Sequence, residues 1–176
     1  MKSDEVCRKI KECKNKHLKE LNLQNSELQE IPSTVFELNW LESINLSNNF
    51  LSNLPKDIVK LENLSCIYLG ANKLNHIPEE IACLRNLSRL SLSGNKLINL
   101  PDTLSNLKKL SQLSLRNNHL NIIPNIVFHL QNLSKLDLSN NCLTELPDSI
   151  GNLQNLSLLD LRNNQLRELP DSISRL

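Results

Sequence analysis

Nineteen carboxylates, five cysteines and four histidines are the side chains of this 176-residue chain that could pass protons, attack an electrophile or hold a metal ion. Taken class by class, they do not assemble a reaction centre. Cys7, Cys13, Cys66, Cys83 and Cys142 form no C-x-x-C pair of the kind that ligates zinc or cycles a disulfide. Gly70, Gly94 and Gly151 are the only glycines, too few and too scattered for a phosphate-cradling loop. No nucleophile stands beside a base. Carboxylates collect behind prolines, as in Pro78-Glu79-Glu80, Pro147-Asp148 and Pro170-Asp171, where negative charge suits the first turn of a helix. Noncovalent recognition is the chemistry left. Tyr68, the only tyrosine, comes with Cys66 and Arg89, and a charged set of Arg116, Lys135, Asp137, Asp160 and Arg162 comes with an apolar Leu158. The elements that carry these side chains decide whether they meet.

Those elements recur every 23 residues, beginning at Leu18, Leu41, Leu64, Leu87, Leu110, Leu133 and Leu156. The blocks align without insertion as L-x-x-[LI]-x-L-x-x-[NS]-x-L-x-x-[LI]-P-x-x-[ILV]-x-x-L. Such a period, one supersecondary unit per block, marks a solenoid. Columns one, four and six are predicted to point inward. The L-x-L core has period two, so columns three, five and seven face the other way and the short strands stack as a parallel ladder. Column nine is Asn49, Asn72, Asn95, Asn118, Asn141 and Asn164, with Ser26 in the first block. A short amide there can bond turn backbone and tolerate a tight conformation. All seven prolines fall in column fifteen, which predicts turns and 3-10 or short α segments on the convex side. A lone block cannot offset its own ordering entropy, so stacking must supply the core.

Residues such as LSKLDLSNNCLTELPDSIGNLQN, from Leu133 to Asn155, resemble the 23-residue leucine-rich repeat family with an L-x-x-L-P ending. Similar repeats occur in intracellular Ras-pathway scaffolds, membrane-associated polarity scaffolds and bacterial repeat proteins. The resemblance runs from Leu18 to Leu176. It implies an α/β solenoid, a horseshoe with a parallel concave sheet, and binding of a partner protein on that sheet in a scaffold or adaptor role. It also leaves open the targeting or substrate-recognition portion of a larger enzyme (a kinase, GTPase or ubiquitin ligase), or a bacterial effector acting on host proteins. It implies no cofactor, metal or catalytic residue.

Residues 1–17 are predicted to be an N-terminal capping helix. Between residues 2 and 17, six Lys or Arg stand against three Asp or Glu, and Val6, Ile10 and Cys13 recur at helical spacing. That stripe fits a lid over the first strand better than a membrane-surface or nucleic-acid arm. At the other end the seventh repeat stops before its last two columns, which reads as an incomplete, uncapped repeat. Either the chain is a fragment or the last repeat self-associates. A net charge of +1 gives no nucleic-acid footprint. The opening MKSDEVCRKIKECK has no apolar run, and no stretch approaches a membrane span, so a cytoplasmic location is expected. Asn63, Asn86, Asn132 and Asn155 sit in Asn-x-Ser triplets only because column twenty-three precedes column-one Leu and column-two Ser. His17, His76, His119 and His129 fall in the lid and in columns thirteen, ten and twenty, on different surfaces.

The concave face is therefore the expected binding surface. Columns three, five and seven form rows across strands about 4.8 Å apart, mostly small and polar. Tyr68 with Cys66 and Arg89 is either a contact hot spot or an exposed tyrosine without a partner. Arg116, Lys135, Asp137, Asp160 and Arg162 are either a structural salt-bridge network or a partner-selecting patch, the cations offsetting the adjacent carboxylates. Leu158 marks an interface edge or covers the open end. The column-two serines, Ser65 through Ser157, read as repeat duplication and hydration.

Overall fold

The computed structural model describes residues 2–176; Met1, the first residue of the expected capping segment, lies outside the described residues. Helix α1 spans Lys2–Asn15 and is followed by seven three-residue strands: β1 Glu20–Asn22, β2 Ser43–Asn45, β3 Cys66–Tyr68, β4 Arg89–Ser91, β5 Gln112–Ser114, β6 Lys135–Asp137 and β7 Leu158–Asp160. They form one parallel sheet in chain order, and every pairing is column on column, as in Leu90↔Leu113 and Asp137↔Asp160. Parallel order needs a crossover between strands. Here each crossover contains a five-residue 3-10 helix, from Ser33–Glu37 to Asp148–Asn152, a seventh, Asp171–Arg175, follows β7, and none of them is a short α segment. The column-fifteen proline stands just before each one. Its fixed φ holds extended geometry, and its carbonyl accepts the first turn bond, as Pro101 O does from Leu104 N at 3.0 Å.

The inward columns form one continuous core, and Leu41, Ile44, Leu46, Leu64, Ile67, Leu69 and their counterparts through the middle blocks are fully buried. The ends differ because each has a neighbour on one side only. Among the seventh block's inward positions, Leu159, Leu161, Leu166 and Ile173 are part-buried and Leu169 is 57% exposed. At the other end, Val6, Ile10 and Cys13 of α1 lie buried in the same cluster as Leu21 and Leu23, and burial pushes the Cys13 thiol up from its ordinary pKa. Lys2–Glu27 and Lys14–Glu37 ion pairs tie the helix to the first block from its surface.

Leu18 corrects the expectation that every column-one leucine points inward, since it is 41% exposed. The helix stop takes it. His17 turns left-handed (φ 49°), its N–H reaches Lys14 O at 3.3 Å, and Leu18 N–H reaches back to Cys13 O at 3.0 Å. That is a Schellman ending, which satisfies carbonyls the last turn would leave bare. The Leu18 carbonyl in turn accepts Trp40 Nε1–H at 3.0 Å, while the Trp40 ring stacks on His17 at 4.1 Å.

Column nine is a buried amide ladder. Asn95 Nδ2 donates to Leu69 O and Leu92 O at 3.0 Å, and its Oδ1 accepts Leu74 N–H at 3.0 Å. Each column-six carbonyl between two such residues accepts from both, Leu69 O from Asn72 and Asn95, Leu92 O from Asn95 and Asn118. Column nine bonds turn backbone as expected, but the tight conformation is taken by column eight. Asn25, Asn48, Ala71, Gly94, Asn117, Asn140 and Asn163 all have φ between 53° and 65°. Asn and Gly accept this conformation readily, and Ala71 does not.

Candidate functional site

Several rows of the repeat carry structural duties that must be subtracted before their side chains are counted as free. The column-two serines form a second ladder rather than a hydrated row: Ser88 Oγ donates to Ser65 O at 3.0 Å, Ser111 to Ser88 O at 3.2 Å, Ser134 to Ser111 O at 3.0 Å and Ser157 to Ser134 O at 3.0 Å. Those carbonyls already take two backbone N–H groups of the next block, as Ser65 O does from Ser88 and Arg89. Column twenty-three adds a third ladder on the far side, where Asn63, Asn86, Asn132 and Asn155 donate to carbonyls of the preceding block. The Asn-x-Ser triplets at these positions are thus the meeting of two inter-block ladders.

Column five caps its own strand. Asn22, Asn45, Asp137 and Asp160 each accept, through Oδ1, the backbone N–H two residues on, at 3.0 to 3.1 Å. This Asx turn ends the strand. Asp137 also receives Ser139 Oγ–H at 2.7 Å and Ser114 Oγ–H at 3.4 Å. Asp160 is gripped by Arg162, with Nη2 to Oδ2 at 2.6 Å and Nε to Oδ1 at 3.0 Å. The guanidinium first, and the Arg162 backbone N–H second, hold the Asp160 carboxyl down to a pKa of about 2.

The mixed-charge patch is therefore not the network of offsetting pairs that its sequence suggests. Asp137 and Asp160 do lie side by side across β6 and β7. Only Asp160–Arg162 is an ion pair, and hydroxyls rather than cations satisfy Asp137. Arg116 and Lys135 are exposed, and their side chains make no hydrogen bond or ion pair among the described residues. Leu158 on β7 is 48% exposed beside them.

At the middle of the face the structure brings Tyr68 and Arg89 together. Arg89 Nη1 donates to Tyr68 Oη at 2.8 Å, and Arg89 Nε donates to Gln112 Oε1 at 2.9 Å. Tyr68 thus has a partner. The phenol oxygen, as acceptor, raises the guanidinium pKa further above its already high value. Cys66 lies opposite Arg89 in register on β3, its sulfur receiving the Ser65 hydroxyl at 3.7 Å rather than joining the hydrogen-bonded set. Gln112 is a member that sequence reasoning missed. Its signal was its place, column three of the strand after Arg89.

No three His, Cys, Asp or Glu side chains converge as a metal set among the described residues, and all five cysteines are free thiols. No helix among them is long and apolar enough to cross a membrane.

A family model described as leucine rich repeat matches residues 16–74, 41–97, 68–120 and 108–166. No curated protein is significantly similar in sequence. Among solved structures, a leucine-rich repeat protein of Leptospira interrogans superposes with a TM-score of 0.89 at 40% identity, over 93% of this chain and 42% of that one. An internalin of Listeria monocytogenes gives 0.77 at 24% identity, over 90% and 46%, which is a likeness of fold alone. The ectodomain of an Arabidopsis thaliana membrane receptor kinase, in complex with Casparian strip integrity factor 2, gives 0.62 at 33% identity, over 81% and 21%. The chain thus spans less than half the length of each.

Proposed function

The chain belongs to the leucine-rich repeat family, and from that premise we propose that it is a protein-interaction module that receives a partner protein on its concave sheet. The fold is in general a module for protein interaction rather than for catalysis. The observation that carries the choice of face is the Tyr68–Arg89–Gln112 cluster, an aromatic and an arginine fixed to each other at the centre of a floor of serines. Tyr and Arg supply an outsized share of interface energy because they combine large contact area with directed polar groups. Cys66, Arg116, Lys135 and Leu158 surround that centre. Asp137, Asp160 and Arg162 form its C-terminal border.

Within this role the module acts without catalysis of its own, as a scaffold or adaptor in the cytoplasm. Because the chain spans less than half the length of its structural relatives, a second reading makes it the recognition portion of a larger protein, an enzyme or a bacterial effector, with the same face in use. The Arabidopsis ectodomain in complex with an integrity factor supports a repeat that serves as a receiving surface.

The test is capture of partners from cell extract with wild type, Ser91→Trp and Lys108→Trp. The first substitution fills the concave floor, and the second adds equal bulk to an exposed position outside it. Partners should be lost with Ser91→Trp and kept with Lys108→Trp, both variants retaining the wild-type circular dichroism. The opposite pattern, or no effect of either, refutes the concave face.

A further inference from the structure

Arg89 is a half-buried cation with no carboxylate within ion-pair distance among the described residues. Leaving a charge partly desolvated without a counter-ion is costly, and the neighbours do more than tolerate it. Tyr68 accepts from Nη1 and Gln112 accepts from Nε, so the rotamer is held while Nη2 has no hydrogen-bond partner among the described residues. With the single Nε hydrogen spent on Gln112, the Nη1–Nη2 end of this fixed plane is what remains to meet a carboxylate.

The surroundings extend the same chemistry. Arg89, Gln112 and Lys135 occupy one row on β4, β5 and β6, and Arg116 stands two residues beyond the end of β5. Across columns three, five and seven of β4 to β7 there are four cations, Arg89, Arg116, Lys135 and Arg162, against two carboxylates, Asp137 and Asp160. Both carboxylates are already engaged, Asp160 by Arg162 and Asp137 by two serines and a backbone N–H. Four cations against two carboxylates leave this part of the face net positive, with Arg89, Arg116 and Lys135 outside any ion pair among the described residues. Between them Ser91, Ser93 and Ser114 make a low floor.

We propose that this floor takes an acidic, extended segment of a partner protein laid across the strands, with one carboxylate on the Arg89 fork and others on Lys135 and Arg116. The proposal rests on the concave-face reading above and names the partner's chemistry. Two strand spacings separate Arg89 from Lys135, roughly 10 Å, which an extended chain covers in about three residues. The partner's acidic side chains are therefore spaced about two to three residues apart. A nucleic acid fits the same cations less well, because a continuous phosphate backbone would run onto Asp137 and Asp160.

The experiment is fluorescence anisotropy with labelled peptides of equal length carrying Glu, Gln or Lys at alternate positions, and with a single-stranded oligonucleotide, titrated with wild type, R89Q, Y68F and R116Q/K135Q. The Glu peptide should bind, weaken with added salt and lose roughly tenfold in affinity to R89Q. Y68F keeps the charge and loses only its orientation, so its loss should be smaller than that of R89Q. Circular dichroism, together with R89K, separates lost binding from lost folding, since R89K keeps a cation but not the fork and should fall between wild type and R89Q. Equal binding of Glu and Gln peptides, no binding of the Glu peptide, tighter binding of the oligonucleotide, or indifference to R89Q would each overturn the proposal. If captured partners depend on Ser91 and not on Arg89, the concave face stands and its acidic preference falls.

Discussion

Replacing Asn95 by alanine tests the amide ladder that couples one block to the next. The side chain is 5% exposed and bonds the Leu69 and Leu92 carbonyls and the Leu74 N–H at 3.0 Å, groups from two successive blocks, with a longer bond to Ser93 O at 3.4 Å. The two carbonyls keep a second donor, from Asn72 and Asn118, so each loses one of two bonds, about 0.5–1.5 kcal/mol apiece. The Leu74 N–H has no other partner and is buried, so its loss costs about 1–3 kcal/mol. The sum is about 2–6 kcal/mol, a large part of the stability of a chain this size. In a one-dimensional array such a loss also weakens one interface in particular, so the two halves should begin to unfold separately.

Urea denaturation followed by far-ultraviolet circular dichroism and by Trp40 fluorescence measures both effects, because the single tryptophan sits at the N-terminal end. Wild type should give coincident transitions. Asn95→Ala should move the midpoint down and separate the two probes. Asn164→Ala is the internal comparison, since Asn164 is only part-buried and water can replace its bonds to Leu138 O and Leu161 O. A cost under about 1 kcal/mol for Asn95→Ala, or equal costs at the two positions, would refute the ladder as the source of coupling.

Three further outcomes are expected. Ala71→Gly should raise stability by about 0.5–1 kcal/mol, since the left-handed backbone costs a Cβ-bearing residue about 1–2 kcal/mol and glycine's extra chain freedom returns part of that; a fall in the urea midpoint counts against it. Asp160, held at about 2, contributes stability above the unfolded carboxylate pKa near 3.9 that is lost as pH falls from there through about 2. A carboxyl-carbon nuclear magnetic resonance titration should find that value in wild type and an upward move in Arg162→Gln, and a wild-type value near 4 would contradict the pairing. Ser172 Oγ is buried without a hydrogen-bond partner, so Ser172→Ala should leave stability unchanged or raise it by about 1 kcal/mol in thermal melts, where a clear loss would point to a bonded hydroxyl.

The 23-residue interval made the parallel sheet, its register and its buried columns legible, because a period-two strand within a constant repeat admits one stacking. The helical stripe of Val6, Ile10 and Cys13 was legible for the same reason, a periodicity of like side chains. What stayed hidden depends on backbone. In the Asn-Asn pairs the nearly constant column nine drew attention, yet column eight makes the left-handed turn, and only its tolerance of Gly94 hinted at that. Ser88 reads as a small polar surface residue because its acceptor, the Ser65 carbonyl, lies 23 residues away. Leu18 reads as core because column one is core elsewhere, whereas the Schellman ending claims it for α1.

The same difference governs the candidate site. Asp137 and Asp160 look like recognition residues in a row of serines, but each uses Oδ1 to accept the N–H two residues on, a strand-ending duty that Asn22 and Asn45 perform equally well in the same column. Aspartate in place of asparagine keeps the cap and adds charge, and the added charge at position 160 is then absorbed by Arg162. Column three has no such duty. Glu20, Ser43, Cys66, Arg89, Gln112, Lys135 and Leu158 share no backbone-capping hydrogen bond, so that row is free to vary with the ligand and not with the fold. If recognition has shaped this surface, substitutions in column three should change binding with little change in stability. Alanine at the capping positions Asn22, Asn45, Asp137 and Asp160 should do the reverse, and a binding profile ordered the other way would mean that these residues, and not Arg89 and Lys135, meet the partner.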